Sequence, residues 1–239
     1  MLKHLPNALT SGNLVCGCLG IIECFSGHLT TASLLILVAA VFDFFDGFVA
    51  RAVKANSAMG KELDSLADCV SFGVLPSIMM YHLIIQAMSI SNDVFVNKYI
   101  PYLALIMAVF SALRLAKFNI DTRQSDSFIG VPTPANAMLI ASFPWLLQQN
   151  SILTPFLQNV YVLIAITLVM SFLLVAELPL IALKFKDFSW KNNQYTYSLV
   201  FISLLLLLAL QVTAIPLIIL VYIGLSVVKT INNKPQKVL

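Results

Sequence analysis

Between Tyr195 and Val228 the chain runs for 34 residues without one charged side chain. That is too long for a single bilayer-crossing helix of about 20 residues and only just enough for two. Gln211, Thr213 and Pro216 stand in its middle, so the sequence predicts a hairpin of two short helices turning there. Apolar runs at about 12–25, 30–53, 60–87, 99–117, 134–148 and 153–175 repeat the theme, with Pro144 a candidate kink in the fifth. Of all residues 59% are hydrophobic and 10% charged, with a mean hydropathy of +0.91. Soluble domains hold roughly a quarter charged residues and must keep a large solvent-facing area, which excludes a soluble globular enzyme and a disordered chain. The expected fold is an all-α, polytopic membrane helical bundle of about eight transmembrane helices. One membrane-embedded domain over 1–239 is expected, with a core at about 5–175 and C-terminal helices at about 176–239.

The basic residues predict sidedness. With a cytoplasmic N-terminus, Lys3, then Arg51, Lys54 and Lys61, then Arg114, Lys117 and Arg123, then Lys184, Lys186 and Lys191, then Lys229, Lys234 and Lys237 all fall inside. That is 13 of the 14 basic residues, leaving Lys98 outside. Such asymmetry fits the positive-inside rule and places both termini in the cytoplasm; seven spans would put the basic C-terminal tail on the wrong side. No small-residue cleavage site follows a short apolar core at the start, so an uncleaved first helix is expected. Net charge is only +3, which argues against a general nucleic-acid footprint.

Cys16, Cys18, Cys24 and Cys69 lie in or beside apolar runs without histidines at zinc-like spacing. Gly12, Cys16, Gly20 and Cys24 recur every four residues and give one helix a stripe of small side chains, suited to close helix packing.

The acids are concentrated. Five of 11 fall within residues 43–68: Asp43, Asp46, Glu62, Asp64 and Asp68. Asp43 and Asp46 are three apart at the end of one predicted helix, and Asp64 and Asp68 four apart at the start of the next. Both spacings put the pair on one helix face, so four carboxylates can converge. At membrane depth each costs about 2.5–3.5 kcal/mol, and mutual repulsion adds to that. Hard divalent cations such as Mg²⁺ or Mn²⁺ offset this cost and bridge naturally to a substrate phosphate. Four carboxylates suit two metals bracketing a pyrophosphate. Gly47 and Gly60 leave room for a ligand to approach the backbone, and Arg51 carries a fork of donors for phosphate. Taken singly, Arg51, Lys54, Lys61 and Glu62 read equally well as surface charges.

The pattern Asp43-x2-Asp46-Gly47-x2-Ala50-Arg51-x8-Gly60-x3-Asp64-x3-Asp68 resembles the signature of the CDP-alcohol phosphotransferase family, with each fixed position present. The resemblance implies that Asp43, Asp46, Asp64 and Asp68 hold two divalent cations, with Asp68 also the general base. It implies that Gly47, Ala50, Arg51 and Gly60 contact nucleotide and phosphate. Four further segments resemble the family's phosphatidylserine-forming branch. These are Leu5-Pro6-Asn7-Ala8-Leu9-Thr10 with Asn13, then 71–76, Arg114-Leu115-Ala116-Lys117-Phe118-Asn119, and Gly130-Val131-Pro132-Thr133-Pro134-Ala135. Asn7 and Thr10 join the expected nucleotide contacts. Lys117 departs from the arginine more usual in that branch.

The activity so implied is transfer of a phosphatidyl group from CDP-diacylglycerol to L-serine, in a homodimer of the cell (inner) membrane with its site facing the cytoplasm. Arg114 and Lys117, three apart on one face, are candidates for the serine carboxylate, with Asn119 adding a hydrogen bond; both cations read equally as snorkelling anchors. Glycerol 3-phosphate, inositol phosphate or an archaeal-type lipid donor stay open as alternatives. A cation transporter is the alternative from another class.

Overall fold

The computed structural model describes residues 4–54, 57–91, 97–121, 128–150, 152–181 and 190–232. Eight long helical rods are present among the described residues. They are α1 (Leu5–Phe25), α2 (Leu29–Ala52), a rod of α3 (Ala58–Asp68) and α4 (Leu75–Ser91), then α5 (Ile106–Ile120), α6 (Thr133–Gln148), α8 (Val160–Val175), α9 (Trp190–Leu210) and α10 (Ala214–Asn232). A four-residue turn of helix, α7 (Thr154–Leu157), precedes α8.

Among the described residues five apolar runs are long enough to cross a membrane by length and composition: Leu5–Phe25, Leu29–Ala52, Ala58–Ser91, Ile100–Ile120 and Asn193–Asn232. The protein is therefore a multi-pass helical membrane protein. The last run is the expected hairpin. It breaks at a 3₁₀ turn over Gln211–Thr213, where Gln211 takes φ +50°, and α10 folds back along α9. Of the residues behind the sidedness expectation, Lys3, Arg123, Lys184, Lys186, Lys234 and Lys237 lie outside the described residues, as does the side chain of Lys191.

Three local features depart from a simple row of α-helices. The third rod is not one α-helix: Cys69–Val74, directly after Asp68, is a π-helix, a geometry that often marks functional sites. Pro101 opens a 3₁₀ segment (Ile100–Leu105) that leads into α5. A two-residue antiparallel ribbon pairs β1 (Phe128–Ile129) with β2 (Pro179–Leu180). Prolines at 132 and 179 keep both stretches out of helix, and Gly130 at φ +76° turns the chain into α6. The ribbon fastens the start of α6 to the end of α8, helped by Gly130 N–H to Leu178 O (3.0 Å) and Val131 N–H to Leu173 O (2.9 Å). Pro144 lies inside α6 without ending it.

The core sits between α1, α2, α4, α6 and α8, with Ile36, Phe72, Leu75, Met79, Met80, Ile140, Leu163 and Leu174 fully enclosed. The small-residue stripe on α1 packs within the chain. Gly12 faces the Phe42 ring of α2, Gly20 faces Leu75, and Cys16 and Cys24 are buried while Cys18 is exposed. By contrast α9 exposes Leu204, Leu205, Leu207 and Leu208, the surface expected to meet lipid. Polar clips spaced one turn apart on α10 fasten the hairpin to the body. Tyr222 OH donates to Ile181 O (3.2 Å), Ser226 Oγ accepts from Ile181 N–H (3.1 Å), and Thr230 Oγ1 donates to Pro179 O (3.3 Å).

Candidate active site

α1 lays one face, Pro6, Thr10, Asn13 and Gly17, against the junction of α2 with the third rod. Ser57 caps the N-terminus of α3, its Oγ accepting from Gly60 N–H at 2.9 Å. A β-carbon at position 60 would stand 3.0 Å from Ser57 Oγ and 3.2 Å from Asn7 Oδ1. Glycine there is what lets α1 close on the start of α3.

Carboxylate oxygens of Asp43, Asp64 and Asp68 come within 4.8 Å of one another. Asp46 stands beside this triad, buried, with Oδ2 accepting from Thr10 Oγ1 at 2.6 Å. Buried Asp64 Oδ1 has no hydrogen-bond partner among the described residues. Like charges packed this closely, with an unsatisfied buried oxygen among them, fit a cation: hard oxygen donors are the ligand type that Mg²⁺ and Mn²⁺ prefer. The residues present therefore suit the metals that the sequence pattern implies.

Next to the carboxylates lies a cavity of about 510 Å³. Asn7, Thr10, Asp46, Gly47, Ala50, Gly60 and Asp64 line it, together with Lys61. Seven residues singled out in the sequence thus share one wall. Arg51 does not line it. Its guanidinium folds back over Gly47, with Nη1 3.6 Å from where a β-carbon there would stand.

The three expected serine contacts separate. Arg114 is buried, at 7% exposure, and its Nε has no hydrogen-bond partner among the described residues; it lies close enough to Asp68 and Tyr222 to interact electrostatically with both. Lys117 is partly exposed and pairs with Glu177, just past the end of α8, Nζ to Oε1 at 3.2 Å. Asn119 braces two elements: Nδ2 donates to Ser65 Oγ of α3 (2.9 Å), and its carbonyl accepts from Lys61 Nζ (3.0 Å).

The residues from 3 to 173 match the family model for CDP-alcohol phosphatidyltransferase. The chain belongs to the CDP-alcohol phosphatidyltransferase family. The chain is 38% identical over 147 residues to CDP-diacylglycerol--serine O-phosphatidyltransferase of Bacillus subtilis, covering 60% of this chain and 78% of that one. To the Helicobacter pylori (strain ATCC 700392 / 26695) protein of the same name it is 28% identical over 220 residues, 88% of this chain and 84% of that one. Archaetidylserine synthase of Methanothermobacter thermautotrophicus is 35% identical over 141 residues, 58% and 57% of the two chains.

Family membership directs attention to one residue that sequence reasoning placed only within the resemblance. Asn13, fully buried, donates from Nδ2 to Asp68 Oδ1 at 3.0 Å, and its backbone carbonyl accepts from Ser71 Oγ in the π-turn at 2.9 Å. The available signal was an amide side chain three residues after Thr10 and four before Gly17, on the face of an apolar helix that must turn inward. A polar group there needs a partner, since burying one unpaired is costly.

Proposed function

We propose that this protein transfers a phosphatidyl group from CDP-diacylglycerol to the hydroxyl of L-serine, giving phosphatidylserine and CMP. The observation that carries this reading is the convergence of the Asp43, Asp64 and Asp68 carboxylates beside a cavity walled by Asn7, Thr10, Gly47, Ala50 and Gly60. The names borne by the relatives support the choice of serine and of the diacylglycerol donor.

Asp43, Asp46, Asp64 and Asp68 would hold two divalent cations, Mg²⁺ or Mn²⁺, which supply charge neutralisation at the pyrophosphate. Thr10 holds Asp46 in place, and Asn13 holds one oxygen of Asp68, leaving the other to take the proton of the acceptor hydroxyl. The serine oxygen forms a bond to the lipid-side phosphorus. The bond from that phosphorus to the anhydride oxygen breaks, and CMP carries the oxygen away. Gly47, Ala50 and Gly60 admit the nucleotide close to the backbone, and Arg51 swings toward its phosphates from the rim. Arg114, Lys117 and Asn119 stand on the acceptor side, with Arg114 meeting the serine carboxylate.

In this reading residues 5–175 form the catalytic core of a single domain spanning 1–239, and the C-terminal hairpin braces it. The eight helices cross the cell (inner) membrane with both termini and the site on the cytoplasmic face, and the protein works as a homodimer. A second reading concerns the donor: likeness to a protein named archaetidylserine synthase admits an archaeal-type CDP-activated lipid donor. Ion transport is a poorer fit, because it leaves the cavity wall of Gly47, Ala50 and Gly60 without a role.

The test is CMP release by purified protein with Mg²⁺ or Mn²⁺ and CDP-diacylglycerol. Serine, glycerol 3-phosphate and inositol phosphate are supplied in turn. Release that prefers serine is expected; preference for another acceptor overturns the serine assignment. Substituting an archaeal-type CDP-activated lipid donor separates the two donor readings.

A further inference from the structure

Beyond the carboxylates lies a second set of polar groups that the fold encloses and leaves unpaired. Ser111 and Arg114 on α5, Thr133 and Asn136 on α6, and Ser171 on α8 are each at most 7% exposed. Ser111 Oγ, Arg114 Nε, Thr133 Oγ1, both Asn136 amide atoms and Ser171 Oγ have no hydrogen-bond partner among the described residues. Native interiors pair nearly all such groups, so five residues of this kind on three packed helices need an explanation.

Four of them share one layer. Arg114 is six residues before the end of α5 at Ile120, Thr133 and Asn136 are the first and fourth residues of α6, and Ser171 is four before the end of α8 at Val175. At about 1.5 Å per residue these four lie within roughly 9 Å of the same rim. The β1–β2 ribbon holds the start of α6 to the end of α8 at that rim, while Lys117 to Glu177 ties α5 to the segment just after α8. The π-turn packs on α5 one turn before Arg114: a β-carbon at Gly73 would stand 2.9 Å from Ser111 Cβ. Arg114 lies close enough to both Asp68 and Tyr222 to interact electrostatically with each. Tyr222 in turn shares an apolar groove with Pro132 and Ala135, the residues just before Thr133 and Asn136.

We propose that Thr133 and Asn136, with Arg114, form the pocket that holds the carboxylate and ammonium of an amino-acid acceptor. This rests on the serine reading above and names residues that decide it. Asn136 offers one acceptor and two donors, and Thr133 offers a hydroxyl of either sense. Together they complement a zwitterion: Arg114 and the Asn136 amide nitrogen meet the carboxylate, and Asn136 Oδ1 and Thr133 Oγ1 accept from the ammonium. A phosphate-bearing acceptor carries about two negative charges and calls for several cations. Among the described residues Arg114 is the buried cation of this layer, and Lys117 is turned to Glu177. The pocket therefore selects a zwitterion over a polyol phosphate.

The experiment uses the full chain in detergent or nanodiscs, with CMP release read against serine and against CDP-diacylglycerol, and thermal unfolding read alongside. Asn136→Ala and Thr133→Val are expected to raise the serine KM by about tenfold or more, as loss of a hydrogen bond to a charged group does, with the CDP-diacylglycerol KM within about twofold. Asn136→Leu separates binding from folding. An unpaired buried amide replaced by a similar apolar volume should leave Tm unchanged or higher while serine turnover falls. A serine KM unchanged in all three variants, with wild-type turnover of serine intact, overturns this inference alone. A lowered Tm in Asn136→Leu with normal serine KM also overturns it, because the amide then serves the fold. Wild-type protein that releases no CMP with serine overturns the serine reading itself.

Discussion

Asn13 on the first helix holds Asp68 on the third rod by a 3.0 Å hydrogen bond, across a boundary buried on both sides. The same asparagine is held by Ser71 from the π-turn that begins one residue after Asp68. Carboxylate, amide and π-turn therefore form one closed set, and the orientation of Asp68 depends on α1.

Asn13→Ala should lower kcat by about 10- to 100-fold, the worth of a hydrogen bond to a charged group, about 1.5–3 kcal/mol. The donor KM should change little, since Asn13 does not line the nucleotide cavity. Steady-state CMP release checks both. A matching loss of activity and Tm would mean that the asparagine serves folding rather than aim.

Asp68→Asn goes further along the same line. It keeps the size and one oxygen of the side chain but removes a basic oxygen. Turnover should fall below detection while CMP still raises Tm, because Asn7, Thr10 and Gly47 in the cavity wall are untouched. Thermal unfolding with and without CMP reads the second half of that statement. Normal turnover in the variant would remove Asp68 as the base.

How much of this is legible in the sequence varies with the range of the interaction. The spacings of Asp43 and Asp46 and of Asp64 and Asp68 are local helix geometry, so convergence follows from sequence. The division of labour within the four does not: Asp43, Asp64 and Asp68 gather within 4.8 Å, while Asp46 is drawn aside to Thr10. The hairpin turn at Gln211–Thr213 is legible, because polar residues and Pro216 interrupt an otherwise uniform apolar run. The π-turn is not, since Cys69–Val74 reads as apolar helix and its widening accompanies a distant partner, Asn13. Lys117 and Asn119 are acceptor-side candidates in sequence because they follow Arg114 closely on the same helix, and sequence does not show what else they hold. Their actual partners, Glu177 and Ser65, are 60 and 54 residues away.

Close packing of α1 on the π-turn gives a stability test. At Gly17 a β-carbon would stand 2.5 Å from Ser71 Oγ and 3.0 Å from Ser71 Cα, so the backbone itself must move. Gly17→Val should cost about 1–3 kcal/mol, the usual penalty for overpacking. That corresponds to roughly 2–12 °C in Tm for a chain of this length. Gly224, where an added β-carbon would meet nothing within 4 Å, provides the contrast. There alanine should be neutral or stabilising by up to about 1 kcal/mol through helix propensity.

Cation binding should be visible without any substrate. A ligand that binds only the folded state at about 100 times its Kd adds about 2.7 kcal/mol of stability. Mg²⁺ or Mn²⁺ should therefore raise Tm in wild-type protein and EDTA should reverse it. In Asp64→Asn, which removes one oxygen charge from the triad, the metal-dependent rise should shrink sharply while the metal-free Tm stays the same or increases, because repulsion with Asp43 and Asp68 is relieved. An equal metal response in variant and wild type would exclude Asp64 as a ligand.

The Lys117–Glu177 pair distinguishes an acceptor contact from a membrane-edge anchor. Its side chains are 39% and 67% exposed, so the pair contributes about 0–1 kcal/mol and its loss should barely move Tm. If Lys117 serves only to tie α5 to the chain after α8, Lys117→Ala and Glu177→Ala should match each other in serine KM and in kcat. If Lys117 also reaches the acceptor carboxylate, Lys117→Ala should raise the serine KM by several fold. Glu177→Ala, by freeing the lysine, should lower it or leave it unchanged. Opposite signs in the two variants, measured at fixed ionic strength because an exposed charge is screened by salt, would place Lys117 beside Arg114 in acceptor binding.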